Sequence, residues 1–341
     1  MPANTHARVL ALVALAILTA AVAVVLGVLA IGERDDRRQE VSIAMAVQDD
    51  VFPALVYIAE EQGYFDEEGV RVALRSFPSS RMALRAVRTG ETQMGTSTGV
   101  PIVWEALHGN EVEILCTLGF TDHAFRVVGR RDRGIERPTD LAGKTVATPE
   151  GSAEQLFLDV FLEHHGLEES DVRLVFMPAV DLPDALVEGR IDAFALRQPF
   201  IGEAMTGLGN EAVVFRGPDH YRSYFALINL PGAFQPLSET PDGVLRALVR
   251  AERLVRTNPE LAREAVVRQL GETRRAEVEQ LWPEYRFEVS ASQSFLITLE
   301  SEARWLIRRY PDHEEPMPNF LEMFHTQPLL RVRPESVTVW K

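Results

Sequence analysis

Short polar segments hold the side chains that could do chemistry in this chain. Gln48, Asp49, Asp50 and Phe52 follow the apolar run VSIAMAV, Phe77, Ser79 and Ser80 follow VRVAL, and Thr96, Ser97 and Thr98 set three hydroxyls in a row. Later come Gly151 and Ser152 at a helix start, Asp181 in a loop, and Arg197 with Gln198 closing the apolar run AFAL. These groups accept and donate hydrogen bonds, but no nucleophile stands at a recognisable spacing from a base. They suit the holding of a small polar molecule better than its conversion. Each has a plainer use: Ser79, Ser80 and Ser152 are good helix caps, Asp181 can cap the helix entered through Pro183, and Arg197 can be an ion-paired rim residue. The hydroxyl run 96–98 fits a polar ligand better than it fits packing.

Metal and cofactor chemistry is disfavoured. Cys116 is the only cysteine, so neither an internal disulfide nor a cysteine-based metal site is possible. His164 and His165 are neighbours on one helix and point apart, which is unfavourable for a shared metal. No phosphate-cradling glycine loop is present, and no cofactor is expected.

A chain of 341 residues exceeds one typical core, so two lobes are expected. The formal net charge of −15 argues against nucleic acid as a partner. Near the N-terminus, Val9 to Ile31 is uncharged, and charges resume in GERDDRRQE. A signal peptide has an apolar stretch of about 7–15 residues, whereas a spanning helix needs about 20. The run therefore reads as an uncleaved signal anchor in preference to a removed signal peptide. Either way the remainder is exported.

The elements that must position the polar segments are written twice. EQGYFDEEGVRVAL, residues 60–73, ends a helix on a glycine, turns through acidic residues and enters a strand; EHHGLEESDVRLVF, residues 163–176, does the same. Gly63 pairs with Gly166, Val70 with Val172, Gly90 with Gly189 and Pro101 with Pro199. Alternating strands and helices predict an α/β fold of two similar lobes, each a mostly parallel sheet flanked by helices. The expected division is 1–40 anchor or signal segment and linker, 41–128 lobe one, 129–225 lobe two, and 226–341 the return to lobe one. AFRVVGRRD leaves the first lobe and YFALINL returns to it, two crossings that would form a hinge. Beyond Pro241 the apolar spacing is helical, and these helices are assigned to lobe one as packing.

GYFDEEGVRV, the RPTDLAGKTVATPEGS stretch and GRIDA resemble the bacterial nitrate/sulfonate/taurine-type substrate-binding proteins, over roughly residues 41–310. That family shares its fold with a thiamine-pyrimidine precursor synthase. The resemblance implies a type II periplasmic-binding fold, a small-molecule ligand in the cleft between the lobes, and delivery to an ABC permease and its ATPase. The family's binding residues lie in loops after the strands, where open α/β sheets bind ligands on physical grounds too. In this chain those positions are Gln48, Asp49, Phe52, Phe77, Ser79, Ser80, Thr96, Ser97, Thr98, Gly151, Ser152, Asp181 and Arg197. Tyr224 lies near them. Lys144 falls in DLAGKTVA, where the family's lysine is structural, which makes it a poor cofactor lysine.

Asp49, Asp50 and Glu150 in cleft-facing loops would repel a simple oxyanion. Phe52, Phe77, Trp104, Phe120, Tyr221 and Tyr224 could stack on a flat ring. A pyrimidine or related nitrogen compound is therefore the first expectation for the ligand, a taurine-like or other sulfonate the second. The alternatives to transport are a ligand-sensing module acting through a membrane partner and, less favoured, a thiamine-precursor enzyme.

Overall fold

The computed structural model describes residues 41–217, 222–235, 239–310 and 316–339. The expected N-terminal anchor, Val9 to Ile31, and Tyr221 lie outside the described residues. Among those described, no helix is long and apolar enough to cross a membrane. Val41–Lys341 forms one compact unit built on two sheets.

The chain first lays down β1 (Val41–Gln48), β2 (Val70–Phe77), β3 (Met94–Thr98) and β4 (Glu113–Thr121). It then forms β5 (Arg126–Arg130), β6 (Thr145–Thr148), β7 (Arg173–Phe176), β8 (Ala193–Leu196) and β9 (Ala212–Arg216), and returns as β10 (Ser223–Asn229) and β11 (Tyr285–Ser290). One sheet has the order β11-β4-β10-β3-β1-β2, the other β7-β6-β8-β5-β9.

The repeat seen in the sequence is a repeat of topology. β2-β1-β3 pair in parallel in the first sheet, and β7-β6-β8 do so in the second. Each core is extended by a strand from the crossing connection: antiparallel β10 lies between β3 and β4, and antiparallel β5 lies between β8 and β9. Each lobe thus receives one strand from the chain as it arrives from the other. The sheets are mixed, parallel in the repeated core and antiparallel beyond it. The chain passes from the first sheet to the second after β4, which ends at Thr121, and back after β9, which ends at Arg216. Val127 and Val128 of AFRVVGRRD already belong to the second sheet.

Strand position explains strand composition. Central strands must be apolar on both faces, and β8, β10 and the second half of β1 are buried throughout. VRVALRSF alternates because β2 is an edge strand with one face covered. The C-terminal region is not wholly helical: YRFEVS pairs with β4 as the opposite edge strand. Its alternation was visible but short, and it sits between longer helical patterns. The helices Thr240–Thr257, Pro259–Leu270 and Gln293–Arg309 lie on the first lobe's side, the last two capped by Asn258 and Ser292.

Candidate ligand-binding cleft

Residues at or just beyond the C-terminal ends of the repeated strands of both lobes converge on one cavity of about 620 Å³. Gln48 ends β1, residues 78–82 follow β2, and Pro101 lies in the first turn of the helix after β3; from the other lobe come Pro149, Glu150 and Ser152 to Glu154 after β6, 176–180 from the end of β7 onward, and Arg197 after β8. Volumes of roughly 300–1,000 Å³ suit small organic ligands.

Two helices start at this cavity. Ser79 caps Ser80–Arg88, its Oγ accepting from Met82 N at 3.3 Å. Ser152 caps Ala153–His164, its Oγ accepting from Gln155 N at 3.1 Å and donating to the Pro149 carbonyl at 2.7 Å. Gly151 makes the turn from β6 into the second of these helices possible. Its φ of +59° is left-handed, and a Cβ there would lie 2.9 Å from Arg81 Nη2 and 3.2 Å from the Trp104 ring. Gly151→Ala is expected to lower stability by about 1–2 kcal/mol, the cost of a left-handed L-residue. Urea denaturation of the variant checks this; an unchanged midpoint would mean the turn relaxes freely.

Arg197 is the most engaged side chain in the cleft. It is 3% exposed. Nε donates to Asp50 Oδ2 at 2.8 Å, Nη1 to Glu154 Oε1 at 3.2 Å, and Nη2 to the Pro78 carbonyl at 2.9 Å. Asp50 and Pro78 belong to lobe one, so this guanidinium ties the lobes together. Asp50 is 1% exposed, and its other oxygen accepts from Val51 N at 2.5 Å. Burial raises the Asp50 carboxyl above its ordinary value, and Arg197 pulls it back down.

A second seam joins the lobes beside the cavity. Arg81 Nη1 donates to the Glu150 carbonyl at 3.1 Å, with its guanidinium 4.8 Å from the Trp104 ring centroid. Trp305 Nε1 donates to Asp159 at 2.7 Å, Tyr310 donates to Gln155 at 3.2 Å, and Arg309 pairs with Glu169. Asp159 is raised by burial, against the opposing bond from Trp305.

Of the expected site residues, Gln48, Ser79, Ser80, Ser152 and Arg197 line the cavity. The others sit elsewhere. Thr96, Ser97 and Thr98 are buried and spend their hydroxyls inside lobe one: Thr96 accepts from Gln48 N, Thr98 shares a bond with Ser80, and Ser97 donates to the Thr98 carbonyl. The hydroxyl run pins three loops together. Phe52 packs against Phe225 and Tyr285 in the core. Tyr224 packs on Phe120 and Phe295 and donates to Ser294. Phe77 packs near Ala83 and Val87, and Gly151 is buried beneath Arg81. Asp49 is paired with Arg274 at 2.7 Å, and exposed Asp181 lacks a side-chain capping bond.

Sequence reasoning missed the apolar wall. Met82, Phe176 and Val180 are 49%, 41% and 55% exposed and line the cavity. The signal for Phe176 and Val180 was available in FMPAV, an apolar run continuing beyond its strand. Arg81 was missed as well, as one arginine among several on an amphipathic helix.

The profile of the family described as NMT1/THI5 like matches residues 53–261. The chain belongs to that family. A Brucella abortus (strain 2308) protein whose name states no more than binding is 25% identical over 61% of this chain and 64% of its own length. The taurine-binding periplasmic protein of Escherichia coli (strain K12) is 26% identical over 48% of this chain and 50% of its own length. The chain thus spans less than two thirds of these curated relatives. Among solved structures, the periplasmic aliphatic sulphonate binding protein of Escherichia coli superposes with a TM-score of 0.68 at 16% identity, covering 83% of this chain and 97% of that one. The fold is of the periplasmic-binding-protein type.

Proposed function

We propose that this protein is an extracytoplasmic solute-binding protein. It holds a small polar organic molecule between its lobes and delivers it to an ABC permease and its ATPase, with Val9 to Ile31 keeping it at the outer face of the membrane. The observation that carries this reading is the cavity lined from both lobes by residues at or just beyond the ends of the repeated strands. Each lobe presents loops and a capped helix start to the same space, so a ligand there touches both. The binding named for similar proteins adds support.

The ligand class favoured is a sulfonate or related organic anion with an apolar body. This reverses the order expected from the sequence. Phe52, Phe120 and Tyr224, which argued for a flat nitrogen heterocycle, pack among other rings away from the cavity. Phe176 is the aromatic residue among its lining side chains. A binding rather than catalytic role fits Cys116, whose thiol is buried within β4 and raised by that burial.

A thermal-shift panel of taurine, alkanesulfonates, pyrimidines and nitrate tests the reading. A true ligand at a hundred times its dissociation constant adds about 2.7 kcal/mol of stability. Sulfonates are expected to raise the midpoint. A rise with pyrimidines alone would overturn the ligand class, and no rise with any compound would contradict capture of these solutes.

A further inference from the structure

Two arginines reach the cavity, and only one has charge to spare. Arg197 engages all three of its nitrogens, two of them with the carboxylates of Asp50 and Glu154. Arg81 donates a single hydrogen bond, to a backbone carbonyl, and otherwise lies over Trp104. Among the described residues it forms no ion pair, though it lines the same cavity. A guanidinium carries five N–H donors in a fixed fork that matches oxyanions, so Arg81 keeps recognition capacity that Arg197 has already used.

Resting on the reading of the cleft as a ligand site, we infer that Arg81 determines specificity by receiving the ligand's anionic group, while Arg197 acts as a lobe-to-lobe tie. Position supports the assignment. Arg81 is in the first turn of the helix capped by Ser79, where backbone amides also favour negative charge. Its guanidinium touches the other lobe at Glu150, so an anion bound to it sits at the seam that closure forms. Met82 follows it in sequence, and Met82, Phe176 and Val180 give the cavity exposed apolar surface for the rest of the molecule. Asp50 and Glu154 leave no spare positive charge on the Arg197 side of the cavity, which directs a lone anion toward Arg81.

The test compares full-length wild type, Arg81→Gln, Arg81→Lys and Arg197→Gln by calorimetric titration with alkanesulfonates of two to eight carbons and the corresponding alkanols. Wild type is expected to bind at least one sulfonate. Arg81→Gln should weaken it roughly ten- to a hundredfold, the factor that one charge-assisted hydrogen bond supplies. The factor should be the same at every chain length, and Arg81→Lys should recover part of it. The melting temperature of Arg81→Gln without sulfonate should match wild type, whereas that of Arg197→Gln should fall. Equal sulfonate affinity in wild type and Arg81→Gln would overturn the inference while leaving the binding function intact. So would an equal loss of alkanol and sulfonate binding, or a melting temperature lowered as in Arg197→Gln. A wild type that binds no sulfonate removes the ligand reading itself, and this assignment with it.

Discussion

Arg197→Met is expected to drive the unliganded protein open. The substitution leaves Asp50 without its strongest cationic partner in a site where it is 1% exposed. Removing one member of a buried ion pair costs about 3–5 kcal/mol. Here the protein has an escape, because the pair spans the cleft and separating the lobes lets water reach the carboxylate. A penalty of that size shifts an open–closed equilibrium by more than about a hundredfold. The radius of gyration from small-angle scattering should therefore rise. In the double variant Asp50→Leu with Arg197→Met no charge is left stranded, and the radius should return toward the wild-type value. Equal compactness of wild type and Arg197→Met would show that the Arg197 bonds do not hold the lobes together.

Glu302 predicts the second large effect. Its side chain lies under the start of the helix Gly99–Leu107, where a Cβ on Gly99 would collide with its Oε2. That oxygen is buried with no hydrogen-bond partner among the described residues. Burial alone pushes the carboxyl from an ordinary 4.5 up to about 8. The folded state thus keeps a proton that the unfolded state releases. The stability this confers is complete below about pH 4.5 and is lost as pH rises toward 8. At 1.36 kcal/mol per pH unit, the loss between pH 5 and 8 is on the order of 4 kcal/mol. Glu302→Gln removes the titration while keeping the shape, so its unfolding free energy should fall by that much less across the interval. Urea denaturation at both pH values decides it. Parallel declines in the two proteins would mean that Glu302 is already ionised and hydrated near neutral pH.

The fold was legible in the sequence where punctuation is local. Gly63 and Gly166 take left-handed conformations after helices, as do Gly90 and Gly189, and such positions are written in one residue each. The duplicated β2-β1-β3 and β7-β6-β8 cores follow from them. The exchange of β5 and β10 between sheets was less visible, because pairing across a crossing is a long-range choice that no local pattern records. The short alternation in β11 was outweighed by the helices around it.

The site was legible in place but not in detail. Loops after strands line the cavity, and Ser79, Ser152 and Arg197 are among its lining residues. Residue type could not reveal which hydroxyls were already satisfied. Thr96, Ser97 and Thr98 look like ligand contacts until Ser80 and Gln48 are seen bonded to them. Arg197 looks like an anion receptor until Asp50, a distant residue in sequence, is seen against it. Arg81 differs from the other arginines of its helix through contacts with Glu150 and Trp104, which only the folded chain brings near.

The central claim is that a small organic anion is captured by closure of two lobes around it. Thr89→Cys and Glu188→Cys place one label on each lobe at exposed positions, and the native Cys116 is fully buried and out of reach. Dipolar electron spin resonance on the doubly labelled, full-length chain reads the distance between lobes as an alkanesulfonate is added. The distance distribution is expected to narrow and shorten, saturating with the same affinity as binding measured calorimetrically. A distribution that stays unchanged while the sulfonate binds would contradict it.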